Sequence, residues 1–283
     1  MQEDKSSFIK KTEFFMTNPY QQPSADLMPE GTAGDRLLQI NAPRSRDIGA
    51  GWRWFSDAWR VFKSAWGTIL LALLVAWLLS MAAQFVPLLG MFLGFLIAPF
   101  LSAGLLVLLY KADEQRGPTV GDIFTPFSTH FVPLLLVGLI YLGLFIGVLI
   151  IGGVIGYLMF GDALAGMADS VAGMEQGVMP PDMAWMNIAL LGLIVMALMI
   201  PVMAAFWFAP ALVVMGDYGP GQALKASLVG CLRNILPMLW YSVIMVVLLV
   251  LAMIPVGLGL IVLLPVLVVT YYSSFRDIYT DTL

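Results

Sequence analysis

The chain has 283 residues, of which 60% are hydrophobic and 11% charged, far below the roughly 25% charged of a soluble domain. A mean hydropathy of +0.90 excludes a soluble globular protein, and the single cysteine, Cys231, excludes an intramolecular disulfide or a Cys-rich metal site. The formal net charge is −4, but where the signs fall matters more than their sum.

Several apolar runs reach the roughly 20 residues that a helix needs to cross about 30 Å of hydrocarbon. A membrane β-barrel would instead show segments of about ten residues alternating apolar and polar. The runs here are continuous, as over 134–160. The expected fold is an all-α integral membrane protein with six transmembrane helices, arranged as three parallel hairpin units at about 51–116, 118–217 and 219–280. Each unit is preceded by an amphipathic helix in the cytoplasmic interface. No cleavable leader is expected, because the first insertable run begins near Thr68.

Residues 1–47 are polar and carry Pro19, Pro23, Pro29 and Pro43, too few periodic apolar residues to offset ordering entropy, so a disordered cytoplasmic tail is expected. Within it Phe8, Ile9, Phe14 and Phe15 beside Lys10 and Lys11 leave contact with an anionic membrane surface open. Over 51–66, Trp52, Phe55, Trp59, Phe62 and Trp66 form one helical stripe, while Arg53, Ser56, Asp57, Arg60, Lys63 and Ser64 share the opposite arc. An aromatic face beside a cationic one suits a headgroup layer. Trp52, Arg53, Trp59, Arg60, Lys63 and Trp66 are therefore the expected lipid contacts.

The first hairpin crosses over 68–86, turns at 87–90 and returns over 91–110, with Pro99 inside the returning helix. A proline there removes a backbone donor and kinks the helix. The second unit opens with Val120, Ile123, Phe124, Phe127 and Phe131 at helical spacing, interrupted at Pro126. Its long first crossing, about 132–160, carries Gly143 with Gly147 and Gly152 with Gly156, small-xxx-small pairs that admit a neighbouring helix. The one sizeable loop on the opposite face, 161–187, puts Leu164, Met167, Val171, Met174 and Val178 on one stripe, read as a short surface helix. The return over 188–215 contains Pro201 and Pro210. The third unit has Leu224, Leu228, Cys231, Leu232 and Ile235 as its surface stripe, and its returning helix contains Pro265. Pro99, Pro210 and Pro265 are the expected kinks.

Six crossings put every lysine and arginine on one face and leave only Asp162, Asp169, Glu175 and Asp182 on the other. Cationic loops stay in the cytoplasm, so both termini are expected there. The segments FAPALVVMGDYGPGQALKASLVGCLRNILPMLW, VVTYYSSFRDIY and GWRWFSDAWRVFKSAWG resemble a family of uncharacterised proteobacterial six-helix inner-membrane proteins. More distantly they are similar to the membrane domain of bacterial glycerophosphodiester phosphodiesterases. The resemblance covers about 45–280 and implies a fold and a bacterial inner-membrane location. It carries over no catalytic residue, because the soluble phosphodiesterase barrel has no room here.

No Asp, Glu, Lys, Arg or His falls inside a span, which disfavours a proton relay or an ion-coupled carrier. His130, the only histidine, lacks a nucleophile or second base at a readable spacing. The thioethers of Met159, Met167, Met174, Met179, Met183 and Met186 are soft donors for Cu(I), but methionine is frequent throughout, and no metal or cofactor is expected. The favoured reading is a non-enzymatic membrane module touching membrane lipids, anionic on the cytoplasmic face, or a protein partner, with no nucleic-acid partner. The alternative is a carrier for a lipid or other apolar solute.

Overall fold

In hydrocarbon the backbone of a continuous apolar run has no partner but itself, so it closes into an α-helix. The computed structural model describes residues 38–85, 90–174 and 182–280, and no strand occurs among them. In chain order the helices are α1 (Ala50–Ser64), α2 (Trp66–Gln84), α3 (Gly90–Asp113), α4 (Thr125–Thr129), α5 (Phe131–Met174), α6 (Asp182–Trp207), α7 (Ala209–Gly216), α8 (Pro220–Arg233), α9 (Ile235–Met253) and α10 (Leu260–Tyr279). A 3-10 turn, Val120–Phe124, precedes α4. Six stretches are long and apolar enough to cross a membrane: Trp66–Gln84, Phe92–Asp113, Phe131–Met159, Ala189–Gly216, Ile235–Met253 and Leu260–Tyr279. The chain is a multi-pass membrane protein.

Its packed core lies toward one end of the bundle. There α3 is buried from Phe100 to Tyr110 save for Ser102 and Leu105, α7 from Ala209 to Met215, and α10 from Val269 to Tyr279 save for Tyr271 and Arg276. α3 is central, packing against α2, α5, α7 and the 3-10 turn. Close approach is bought with missing side chains: a methyl group added at Gly104 would collide with the Ile123 carbonyl oxygen, and one at Gly51 would lie 2.7 Å from the Pro237 carbonyl oxygen of α9. The far halves of α2, α5 and α9 expose their leucines, valines and isoleucines, as hydrocarbon permits.

Pro99, Pro201 and Pro265 lie inside helices. Pro210 does not: the helix breaks at Phe208 (φ −103°, ψ −2°), and Pro210 occupies the first turn of α7, where its missing N–H costs nothing. At the break the Ser227 hydroxyl of α8 accepts from the Phe208 N–H (2.8 Å) and donates to the Ala204 carbonyl (2.7 Å), standing in for the direct bond between those two groups. Ser227 is fully buried. Ser227→Ala is expected to lower stability by about 1–3 kcal/mol, read as an earlier unfolding transition in detergent. An unmoved transition would mean that the two backbone groups rejoin directly.

Several boundaries differ from expectation. α5 runs unbroken to Met174, so residues 161–174 extend the third crossing helix instead of starting a separate surface helix; alanine, methionine and leucine there favour helix, and Gly161, Gly166 and Gly173 weaken it without ending it, no proline falling within 161–174. Val178 and the two prolines after it lie outside the described residues, as do the side chains of Asp162, Asp169, Met167 and Met174. The stretch before α5 is a 3-10 turn followed by α4, with Pro126 in the first turn of α4. Residues 38–47 are ordered, whereas the sequence suggests a disordered tail to 47. They answer the orphan carbonyls at the end of α10: Asn41 N–H donates to Tyr279 O (2.7 Å) and Arg44 N–H to Ile278 O (3.0 Å). Residues 1–37, including Phe8 to Phe15, lie outside the described residues.

Candidate functional site

α1 has three faces. Ala50, Gly51, Trp54, Ala58, Val61 and Phe62 are buried against α9, α10 and α3. The large aromatics Trp52 (54% exposed), Trp59 (41%) and Trp66 (61%), the last opening α2, point away from the core. The third face carries Arg53, Asp57 and Arg60. Of the aromatic stripe read from sequence, only Phe62 is buried and Phe55 half-buried; the tryptophan that packs inward is Trp54, off that stripe, beside the small residues Gly51 and Ala58.

The polar face is bolted to the bundle by ions. Arg60 pairs with Asp57 (2.6 Å) and Asp113 (2.8 Å), and Arg276 pairs with Asp57 (3.0 Å) and with Asp113. The four side chains close a ring that joins α1 to the ends of α3 and α10. Asp113 is 4% exposed and also accepts from the Tyr272 hydroxyl at 3.0 Å. Beside the ring, Asp277 accepts from the Trp54 indole N–H (2.7 Å) and pairs with Arg46 (2.9 Å). Asn234, fully buried between α8 and α9, donates to the Arg44 carbonyl (2.8 Å) and accepts from the Arg46 N–H (2.9 Å). Arg53 grips Asp47 through both Nη atoms, and that guanidinium holds the Asp47 carboxyl below the usual carboxylate range.

The same polar layer holds Lys111 against Asp122 (2.6 Å) and His130 3.9 Å from Asp217. It therefore collects the starts of α2, α5 and α9 with the ends of α3, α7 and α10. Burial alone would raise the Asp122 carboxyl, but Lys111 and the Thr119 N–H outweigh it and lower it. Cys231, buried against the Ala204 carbonyl at 3.4 Å, has its thiol pushed up to about 12 by burial, which leaves it protonated and a poor nucleophile.

Of the expected lipid contacts, Trp52, Arg53 and Arg60 border one cleft of about 630 Å³, shared with Arg46, Asp57, Ser273 and Asp277. Trp59 turns instead toward an apolar groove of about 280 Å³ between α9 and α10. Lys63 sits over the Trp59 ring at 5.8 Å. Sequence reasoning missed Arg46, Asp113 and Asp277 as site residues. Their signal was present: aspartates inside otherwise cationic segments, close to one per arginine. The glycine pairs divide. Gly152 and Gly156 press α5 onto Val195 and Leu191 of α6, while among the described residues nothing lies within 4 Å of a methyl added at Gly143 or Gly147.

A family model described as Domain of unknown function (DUF7847) matches residues 58–277. No curated protein and no solved structure matches the chain.

Proposed function

We propose that the chain, which belongs to the family of the Domain of unknown function (DUF7847), is a non-enzymatic module of a bacterial inner membrane that engages lipid through α1. The observation that carries this reading is the exposure of Trp52, Trp59 and Trp66 on and beside a helix whose opposite face is tied to the ends of two spanning helices. Tryptophan favours the headgroup layer, where one side of the ring is apolar and the other wet. On this reading α1 and α8 are cytoplasmic interfacial helices, the three pairs of spans are parallel hairpins, and the cationic polar layer keeps both termini in the cytoplasm. Attraction to anionic lipid falls mainly to Lys63, since Arg53 and Arg60 already pair with aspartates. The likeness to the phosphodiesterase membrane domain rests on the three motifs quoted above and supports the inner-membrane location. A carrier role has one feature in its favour, the Ser227-spliced break between α6 and α7.

The test uses full-length protein in vesicles with lipids brominated near the headgroup. Replacing Trp52, Trp59 and Trp66 by Ala should remove most of the quenchable indole fluorescence, although five tryptophans remain of the eight. Equal quenching in wild type and variant would overturn the reading.

A further inference from the structure

We infer that the cleft and the groove on either side of α1 together hold one zwitterionic phospholipid with a primary ammonium in its headgroup. The inference rests on the reading that α1 lies in the headgroup layer, and deepens it from general contact to a dedicated site.

Charge decides the head. The cleft is lined by Arg46, Arg53 and Arg60, but also by Asp57 and Asp277, and every one of these charges is matched within the protein. A purely anionic head would meet the carboxylates and a purely cationic one the guanidiniums. A head that carries both signs a few atoms apart meets complementary groups at each end. Donors remain for its phosphate: Arg46 and Arg60 bond their aspartates through Nε and Nη2, which leaves Nη1 of each uncommitted among the described residues, out of five N–H per guanidinium. The aspartate oxygens have second lone pairs for an ammonium that donates hydrogen bonds, a role a trimethylammonium cannot fill.

An independent observation points the same way. Ser273 lines the cleft, is 1% exposed, and its hydroxyl has no partner among the described residues. A buried hydroxyl left unpaired is destabilising unless something arrives to bond it.

Shape decides the tail. The groove is walled by Phe55 and Trp59 of α1 and by Leu248, Leu251, Val262 and Leu263 of the spanning helices α9 and α10, an apolar lining at the depth of an acyl chain. Trp52 of the cleft stacks on Phe55 of the groove, with centroids 6.0 Å apart. That aromatic ridge joins the two compartments, so one amphiphile lies across it with its head on the polar side and a chain on the other.

The experiment is native mass spectrometry of the full-length protein, delipidated and titrated in turn with phosphatidylethanolamine, phosphatidylcholine and phosphatidylglycerol. One phosphatidylethanolamine should be retained about tenfold more tightly than either other lipid, the equivalent of one charge-assisted hydrogen bond. Arg60→Gln, which removes one of the two free Nη1 donors, and Leu251→Trp, filling the groove, should each weaken that retention by about tenfold with the unfolding temperature little changed. Equal retention of the three lipids, tighter retention of phosphatidylglycerol, or unaltered retention in both variants would overturn the inference. Headgroup quenching of Trp52, Trp59 and Trp66 that survives such a result leaves the broader reading of α1 standing; quenching lost in wild type removes both.

Discussion

Asp113→Asn is expected to destabilise the protein by about 3–5 kcal/mol, whereas Arg60→Gln, which removes a partner from the same ion pair, should cost less than about 1 kcal/mol. The asymmetry follows from where each charge lies. Arg60 is 55% exposed, and water can solvate whatever Asp57 and Asp113 lose when it goes. Asp113 is 4% exposed, and its removal leaves Arg276, itself only 12% exposed, to share Asp57 with Arg60. The amide of asparagine still accepts from Tyr272, but it turns N–H donors toward two guanidiniums that need acceptors. The Arg276 Nε is already buried without a partner, so the guanidinium has little to fall back on. Chemical unfolding in a mild detergent measures both variants. Equal losses would mean that the ring is a surface network after all and that α1 is held by its buried face, Trp54 and Ala58 included, alone.

That face shows what the sequence could and could not tell. Six spans were legible because length and unbroken hydropathy leave no alternative to a helix in hydrocarbon. The burial of α1 was not. The aromatic stripe marked Trp52 and Trp59 as outward-facing, which they are, but nothing in the pattern marked Gly51, Trp54 and Ala58 as the face that packs against the bundle. In a membrane protein the surroundings are apolar too, and close approach selects for small size instead of hydrophobicity. α8 divides its stripe: Leu224 and Cys231 are buried as expected, but Leu232 is 56% exposed, while Ser227 and Gly230 face inward. The capping segment 38–47 gave no pattern at all, because its partners are backbone carbonyls far along the chain, and backbone carbonyls have no sequence signature. The ion ring was half visible. Its residue types stood in view, but the pairing spans up to 219 positions, a distance that no local spacing rule crosses.

Glycine substitution separates contacts that one sequence motif makes look alike. Gly104→Ala is expected to destabilise by more than about 2 kcal/mol, although alanine in a helix interior is intrinsically better than glycine by about 1 kcal/mol. Sterics win here because the obstacle is backbone: the added methyl would collide with the Ile123 carbonyl oxygen and lie 2.6 Å from the carbonyl carbon and from Cα. No side-chain rotation relieves that, and α3 would have to separate from the 3-10 turn that carries Asp122 to Lys111. Gly143→Ala should do the reverse and stabilise by a few tenths to about 1 kcal/mol, since no atom lies within 4 Å of the new methyl. Gly152→Ala falls between, because its neighbour at 2.6 Å is the Val195 side chain, which can yield. Thermal unfolding of the three variants in detergent gives the order directly. Repeating Gly143→Ala and Gly147→Ala in native membrane then asks a second question. A loss of stability there, absent in detergent, would mean that another helix seats on this open face and would identify it as the surface for a protein partner or a second copy.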